Sequence, residues 1–79
     1  MIKIYTKNNC MPCKMTKNWL KNNGVKYVEH NVDEDTEAFN YLIQNDFRTL
    51  PVVFENMVTD EPLAMGFQPH KLKTLLLIE

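Results

Sequence analysis

The only two cysteines of the chain, Cys10 and Cys13, stand two residues apart, and that spacing limits how so short a polypeptide can hold itself together. A chain of 79 residues builds a small core, and domains of this size often lean on disulfides, a metal or very regular packing. A bridge between Cys10 and Cys13 closes a loop so short that chain-entropy reasoning credits it with only about 2 kcal/mol, confined to one turn. The fold therefore has to rest on packed helices and strands. The sulfurs are left for chemistry.

The length predicts one folding unit over residues 1–79, since a second would need far more chain. No apolar run approaches the roughly 20 residues that cross a bilayer; the longest, at 75–78, follows Lys71 and Lys73. No membrane association is expected. The opening Met1-Ile2-Lys3-Ile4-Tyr5-Thr6 lacks the apolar stretch and small-residue cleavage site of a secretory signal. The expected location is the cytoplasm, where paired cysteines are more often catalytic or metal-binding than structural. A net charge of −1 argues against a general nucleic-acid binder. The charge is unevenly placed: Lys3, Lys7, Lys14, Lys17, Lys21 and Lys26 precede the first acid, Glu29, and nine acids from Glu29 to Glu61 then face one cation, Arg48. Lys14, Lys17 and Lys21 fall on one helix face, read either as a solvated surface or as a patch that steers an acidic partner.

Ile2 and Ile4 alternating with Lys3 predict a strand over residues 1–6. From 11 to 23 the spacing becomes helical, with Met15, Trp19 and Leu20 on one face, Pro12 in the first turn and Gly24 as a left-handed end. Val25, Tyr27 and Val28 predict a second strand. Asp33 is the expected N-cap of a helix over about 34–45 that turns Phe39, Leu42 and Ile43 inward. A short apolar strand follows at 51–54, with 57–58 and 63–65 as its return partner around a loop carrying Asp60, Glu61 and Pro62. Pro69 opens a last helix with Leu72, Leu75 and Leu76 at core spacing. The order β-α-β-α-β-β-α predicts an α/β fold with a mixed sheet. Two crossovers imply parallel strands at the start, a closing hairpin adds antiparallel pairing, and helices cover both faces.

Cys10-Met11-Pro12-Cys13 then lies between the end of the first strand and the first turn of a helix. Unpaired N–H groups and a partial positive charge at a helix start favour thiolate over thiol. An ordinary thiol with a pKa of about 8.5 is only about 3% ionised at neutral pH, so this placement raises the concentration of nucleophile severalfold. Cys10, first in the motif and nearer the surface, is the expected attacking thiol, and Cys13 the resolving one. Lys7 either adds positive charge beside the thiolate or is a solvated loop residue. Met11 either offers a polarizable contact to a partner or covers the disulfide. A metal site is the competing chemistry, because two thiolates at this spacing are half of a zinc or iron–sulfur site. His30 and His70 lie far along the chain without a second pair at ligand spacing, so no metal is expected. Copper-delivery proteins with Met-x-Cys-x-x-Cys differ at position 8, which here is Asn8.

Ile4-Tyr5-Thr6-Lys7-Asn8-Asn9-Cys10, Asn31-Val32-Asp33, Phe47-Arg48-Thr49-Leu50-Pro51-Val52-Val53 and Gly66-Phe67-Gln68-Pro69, in this order, resemble the thioredoxin-like superfamily, and within it the NrdH-redoxins. These are glutaredoxin-shaped proteins that behave as thioredoxins. The chain departs from them in having Pro12 where glutamine is common, Ala64-Met65 in place of a Trp-Ser pair, and a longer segment at 55–62. The resemblance implies a thioredoxin-like fold of the glutaredoxin type, with a central four-stranded mixed sheet and three flanking helices. It implies that Pro51 is cis and faces the cysteines, that the backbone of Leu50 beside Thr49 pairs with an extended substrate, and that Gly66 and Phe67 line the same surface.

The resemblance also implies a function, that of a monomeric dithiol–disulfide oxidoreductase of protein disulfides with no bound cofactor. Its partners would be an NADPH-dependent thioredoxin reductase and, as client, ribonucleotide reductase. The alternative is a glutathione-dependent glutaredoxin. Glutaredoxins place a Gly-Gly pair and an acid at the start of the last helix, whereas Gly66-Phe67-Gln68-Pro69 supplies neither the second glycine nor the acid.

Overall fold

A computed structural model describes residues 1–77. Strand β1 (Ile2–Thr6) leads into helix α1 (Met11–Asn22), strand β2 (Tyr27–Asn31), helix α2 (Thr36–Gln44), strands β3 (Val52–Phe54) and β4 (Ala64–Met65), and the short helix α3 (Pro69–Leu72), continued as a 3-10 turn over Lys73–Leu77. The sheet order is β2-β1-β3-β4. β1 pairs with β2 in parallel, Ile2 opposite Tyr27 and Thr6 opposite Asn31. The second crossover departs from expectation, because β3 runs antiparallel to β1, with Tyr5 opposite Val52 and Lys3 opposite Phe54. The physical reason is the connection after α2. It delivers Pro51 beside the C-terminal end of β1, so β3 can only run back along its neighbour.

Alternation along β1 divides the core. Ile2 and Ile4 meet Leu20 of α1, Val53, Ala64 and Leu72 on one face; Tyr5 meets Ala38 and Leu42 of α2, Val52 and Phe54 on the other. Tyr5 stacks on Tyr41 at 5.3 Å and meets the edge of Phe54. The ammonium of Lys3 lies 4.8 Å from the Phe54 ring centroid, an attraction worth about 0.5–1 kcal/mol at exposed sites.

Helix α1 ends as its glycine predicts. Gly24 adopts φ 68°, its N–H bonds to the carbonyl of Lys21, and the N–H of Val25 bonds to that of Leu20, the paired closure that a left-handed residue permits. Its buried face is Cys13, Thr16 and Leu20. Met15 stays exposed, because Thr16, a polar residue by type, takes the inward position. Asp33 does not cap α2. Its carboxylate accepts the N–H of Asn8 at 2.8 Å, while Asp35 accepts from Glu37 and Ala38 and opens the helix two residues later. Ala38 and Leu42 consequently face the core, and Phe39 and Ile43, one position on in each turn, are 48% and 64% exposed.

Residues 57–58 form no strand. The side-chain oxygen of Asn56 captures the N–H groups of Val58 and Thr59, each at 2.9 Å, so these donors are withheld from a ladder. In the last segment Leu72 is buried and Leu76 exposed; Ile78, the end of the apolar run, lies outside the described residues. Among the described residues no helix is long and apolar enough to cross a membrane.

Candidate functional site

The loop between β1 and α1 is held from the side. The N–H of Asn8 donates to Asp33, and the Asn31 amide donates to Asn8 Oδ1 at 2.9 Å. Asn9 then takes a left-handed conformation, φ 55°, which asparagine tolerates better than most residues, and the chain turns into the N-cap of α1. Cys10 occupies that cap, and its sulfur accepts the N–H of Cys13 at 3.2 Å. Cys10 and Cys13 are joined in a disulfide with Cα atoms 5.2 Å apart. Cys10 is 6% exposed and Cys13 1%, so Cys10 is the more accessible of two shielded sulfurs.

A cleft over Cys10 is lined by Lys7, Asn9, Met11, Pro12, Arg48 and Leu50. Met11, 64% exposed, forms its outer lip. The Leu50–Pro51 bond is cis, and the carbonyl of Pro51 accepts the N–H of Gly66 at 2.8 Å. A side chain added at Gly66, where φ is 82°, would begin 3.5 Å from the Thr49 methyl, so Thr49 and Gly66 lie side by side, while the Pro51 side chain between them in the sequence order is fully buried. The N–H and C=O of Leu50 enter no hydrogen bond among the described residues, which leaves both open to an incoming strand.

Phe67 is half-buried and packs in part against the core cluster of Ile2, Ile4 and Leu72; it is not among the residues that line the cleft over Cys10. Gln68 is engaged as well, its side-chain oxygen accepting the N–H of Met65 at 3.0 Å. Sequence reasoning missed Asn9 and Arg48 in the cleft. Arg48 carried a signal, as the one cation among nine acids, whereas Asn9 is revealed only by its φ.

Beneath α1 the charges are paired. Glu29 accepts the Thr6 hydroxyl at 2.6 Å and the Lys17 ammonium at 3.0 Å. Burial opposes ionisation of Glu29, but the Thr6 and Lys17 hydrogen bonds and the charges of Lys17 and Lys21 outweigh it and hold the carboxyl below its ordinary range. Lys17, on the face read either as solvated or as steering a partner, therefore ties α1 to β2. No three His, Cys, Asp or Glu side chains converge to hold a metal among the described residues; His30 stacks on Tyr5 at 5.1 Å.

The Glutaredoxin family profile matches residues 2–58. The glutaredoxin-like protein NrdH of Lactococcus lactis subsp. cremoris is 39% identical over 95% of this chain and 99% of its own length, and that of Escherichia coli K12 36% identical over 94% and 86%. Among solved structures, the NrdH-redoxin of Escherichia coli, a glutaredoxin-like protein with a thioredoxin-like activity profile, superposes with a TM-score of 0.80 at 38% identity, covering 94% of this chain and 92% of its own. The thioredoxin-like protein BC3987 superposes at 0.76 with 38% identity, covering 95% and 99%. With a Cys-x-x-Cys disulfide at the start of α1 in a thioredoxin-like fold, the chain belongs to the glutaredoxin family, among its NrdH-redoxins.

Proposed function

We propose that this protein is a cytoplasmic, monomeric electron carrier which reduces disulfides in protein clients, ribonucleotide reductase foremost, and is itself reduced by thioredoxin reductase at the expense of NADPH. It needs no bound cofactor, metal, nucleic acid or membrane. The observation that carries the reading is the start of the last helix. Phe67, half-buried against the core, fills the place of a second glycine, Gln68 is committed to Met65, and Pro69 has no N–H to offer an anion. The features by which a tripeptide thiol would be held there are missing, while the open backbone of Leu50 beside exposed Thr49 suits an extended protein segment.

In this reading reduced Cys10 attacks one sulfur of the client disulfide. That S–S bond breaks, a mixed disulfide forms, and the departing client thiolate takes a proton. Cys13, losing its proton, then attacks the Cys10 sulfur, re-forms the Cys10–Cys13 disulfide and releases the second client thiolate. Two electrons pass to the client, and the reductase restores them from NADPH. The N–H of Cys13, already 3.2 Å from the Cys10 sulfur, stabilises the attacking thiolate. Since the exchange chemistry is common to all accessible disulfides, selectivity belongs to the surface around it.

A coupled assay tests the assignment. NADPH should be consumed with thioredoxin reductase and a protein disulfide, with little turnover from glutathione and glutathione reductase, and addition of the protein should accelerate ribonucleotide reductase. Efficient turnover with glutathione and none with thioredoxin reductase would reverse the order of the two readings.

A further inference from the structure

A second, apolar groove adjoins the sulfur cleft. It runs between α2 and the loop before α1, walled by Val32, Phe39, Leu42, Ile43, Phe47 and Leu50. Lys7, Arg48 and Leu50 line both depressions, so the groove continues the cleft over Cys10. Phe39 and Ile43 are exposed although the other face of their helix already fills the core with Ala38 and Leu42, and together they line one groove, the contiguous kind of apolar exposure that marks a contact surface. The cations stand at the seam. Asp46 takes only the Nε edge of Arg48, at 2.8 Å, so its Nη groups have no protein partner among the described residues, and Lys7 makes no ion pair there. Asp33, the acid on the groove's edge, is engaged by the Asn8 N–H.

Resting on the function proposed above, we propose that this groove reads the client: it takes an extended segment that carries a carboxylate close to its reactive cysteine and a large apolar side chain a few residues beyond. The carboxylate meets Lys7 and Arg48, and the apolar side chain lies against Phe39 and Ile43. The unpaired backbone of Leu50, at the junction, lets such a segment pass from one depression to the other as an added strand. Continuity with the sulfur cleft and the uncommitted positive charge at the seam favour this occupant over a second copy of the chain, because only a segment joined to the reacting cysteine has to pass through cleft and groove together.

Synthetic peptides carrying one cysteine as a mixed disulfide with thionitrobenzoate test it. They differ only in Phe or Ser at the distal position and Glu or Gln at the near one. Reduced wild-type protein should release thionitrobenzoate from the Phe peptide about tenfold faster than from the Ser peptide, the scale expected for partial burial of an aromatic ring. Ile43→Glu should bring that ratio close to one, as should Phe39→Ser; each ratio is internal to one protein, so a general loss of folded material cancels. The Glu preference should disappear in concentrated salt. Equal rates for the Phe and Ser peptides overturn the groove while leaving the carrier reading intact, and failure to reduce any of the peptides overturns the carrier reading itself. A Phe preference that survives in Ile43→Glu places recognition elsewhere. Equal rates for Glu and Gln remove the occupant named here, and dimerisation in sedimentation that Ile43→Glu abolishes assigns the groove to a second copy.

Discussion

Cys10 and Cys13 differ by position more than by chemistry. Cys10 is the N-cap of α1: its carbonyl accepts the N–H of Lys14 and its sulfur the N–H of Cys13. Cys13 is inside the first turn and almost sealed by its neighbours. A client sulfur approaching through the cleft lined by Met11, Pro12 and Leu50 reaches Cys10 first. Cys13→Ser should therefore accumulate a mixed disulfide with a client, recoverable on a non-reducing gel, while Cys10→Ser should accumulate none. Trapping through Cys13 alone would reverse the two roles. This much was legible from the pair's place between a strand and a helix. The companion residues are less so: Asn9 enters the cleft through a left-handed turn that its residue type permits but does not require.

At the scale of elements, the tie between sheet and first helix is polar. Glu29 on β2 receives the hydroxyl of Thr6 on β1 and the ammonium of Lys17 on α1, joining three elements at one carboxylate about 30% exposed. Its folded pKa is depressed, so the stabilisation is fully present above the unfolded carboxyl pKa and is lost as pH falls through the folded value. Glu29→Gln should cost about 1 kcal/mol at neutral pH. The gap to wild type in urea denaturation should narrow as the pH is lowered below about 4; a gap independent of pH would mean the amide loses packing rather than charge. Such ties escape a reading by periodicity, which places Lys17 on an outer helix face, solvated or steering a partner, and sees no link from it to Glu29. The second helix shows the same limit. Its end closes like that of α1, with Asp46 at φ 57° and the Phe47 N–H on the Leu42 carbonyl, but aspartate does not announce a left-handed cap as Gly24 does. Its start lies two residues beyond the expected cap, because Asp33 and Asp35 are equally good caps by type. The choice is made by Asn8, a partner distant in sequence.

For the molecule as a whole, an electron carrier has to keep one shape with the bridge closed and open. Neither core cluster contains a sulfur: Ile2, Ile4, Leu20, Val53, Ala64 and Leu72 form one, and Tyr5, Ala38, Leu42, Val52 and Phe54 the other. Opening a bridge between residues three apart releases at most about 2 kcal/mol of chain-entropy stabilisation. A Cys10 thiolate at the start of α1 works in the opposite direction, because the helix dipole and the Cys13 N–H interact more strongly with a charged sulfur than with a bridged one. The two effects partly cancel. The reduced protein should therefore remain folded, with a melting temperature no more than about 15 °C below that of the oxidised form. The difference in stability between the two forms is also the free energy by which the pair's reduction potential departs from that of the same dithiol in the unfolded chain, so denaturation of both forms and a redox titration must agree. A reduced chain that unfolds at room temperature would make Cys10–Cys13 a structural staple, and a staple that unfolds its own protein when opened cannot pass electrons repeatedly.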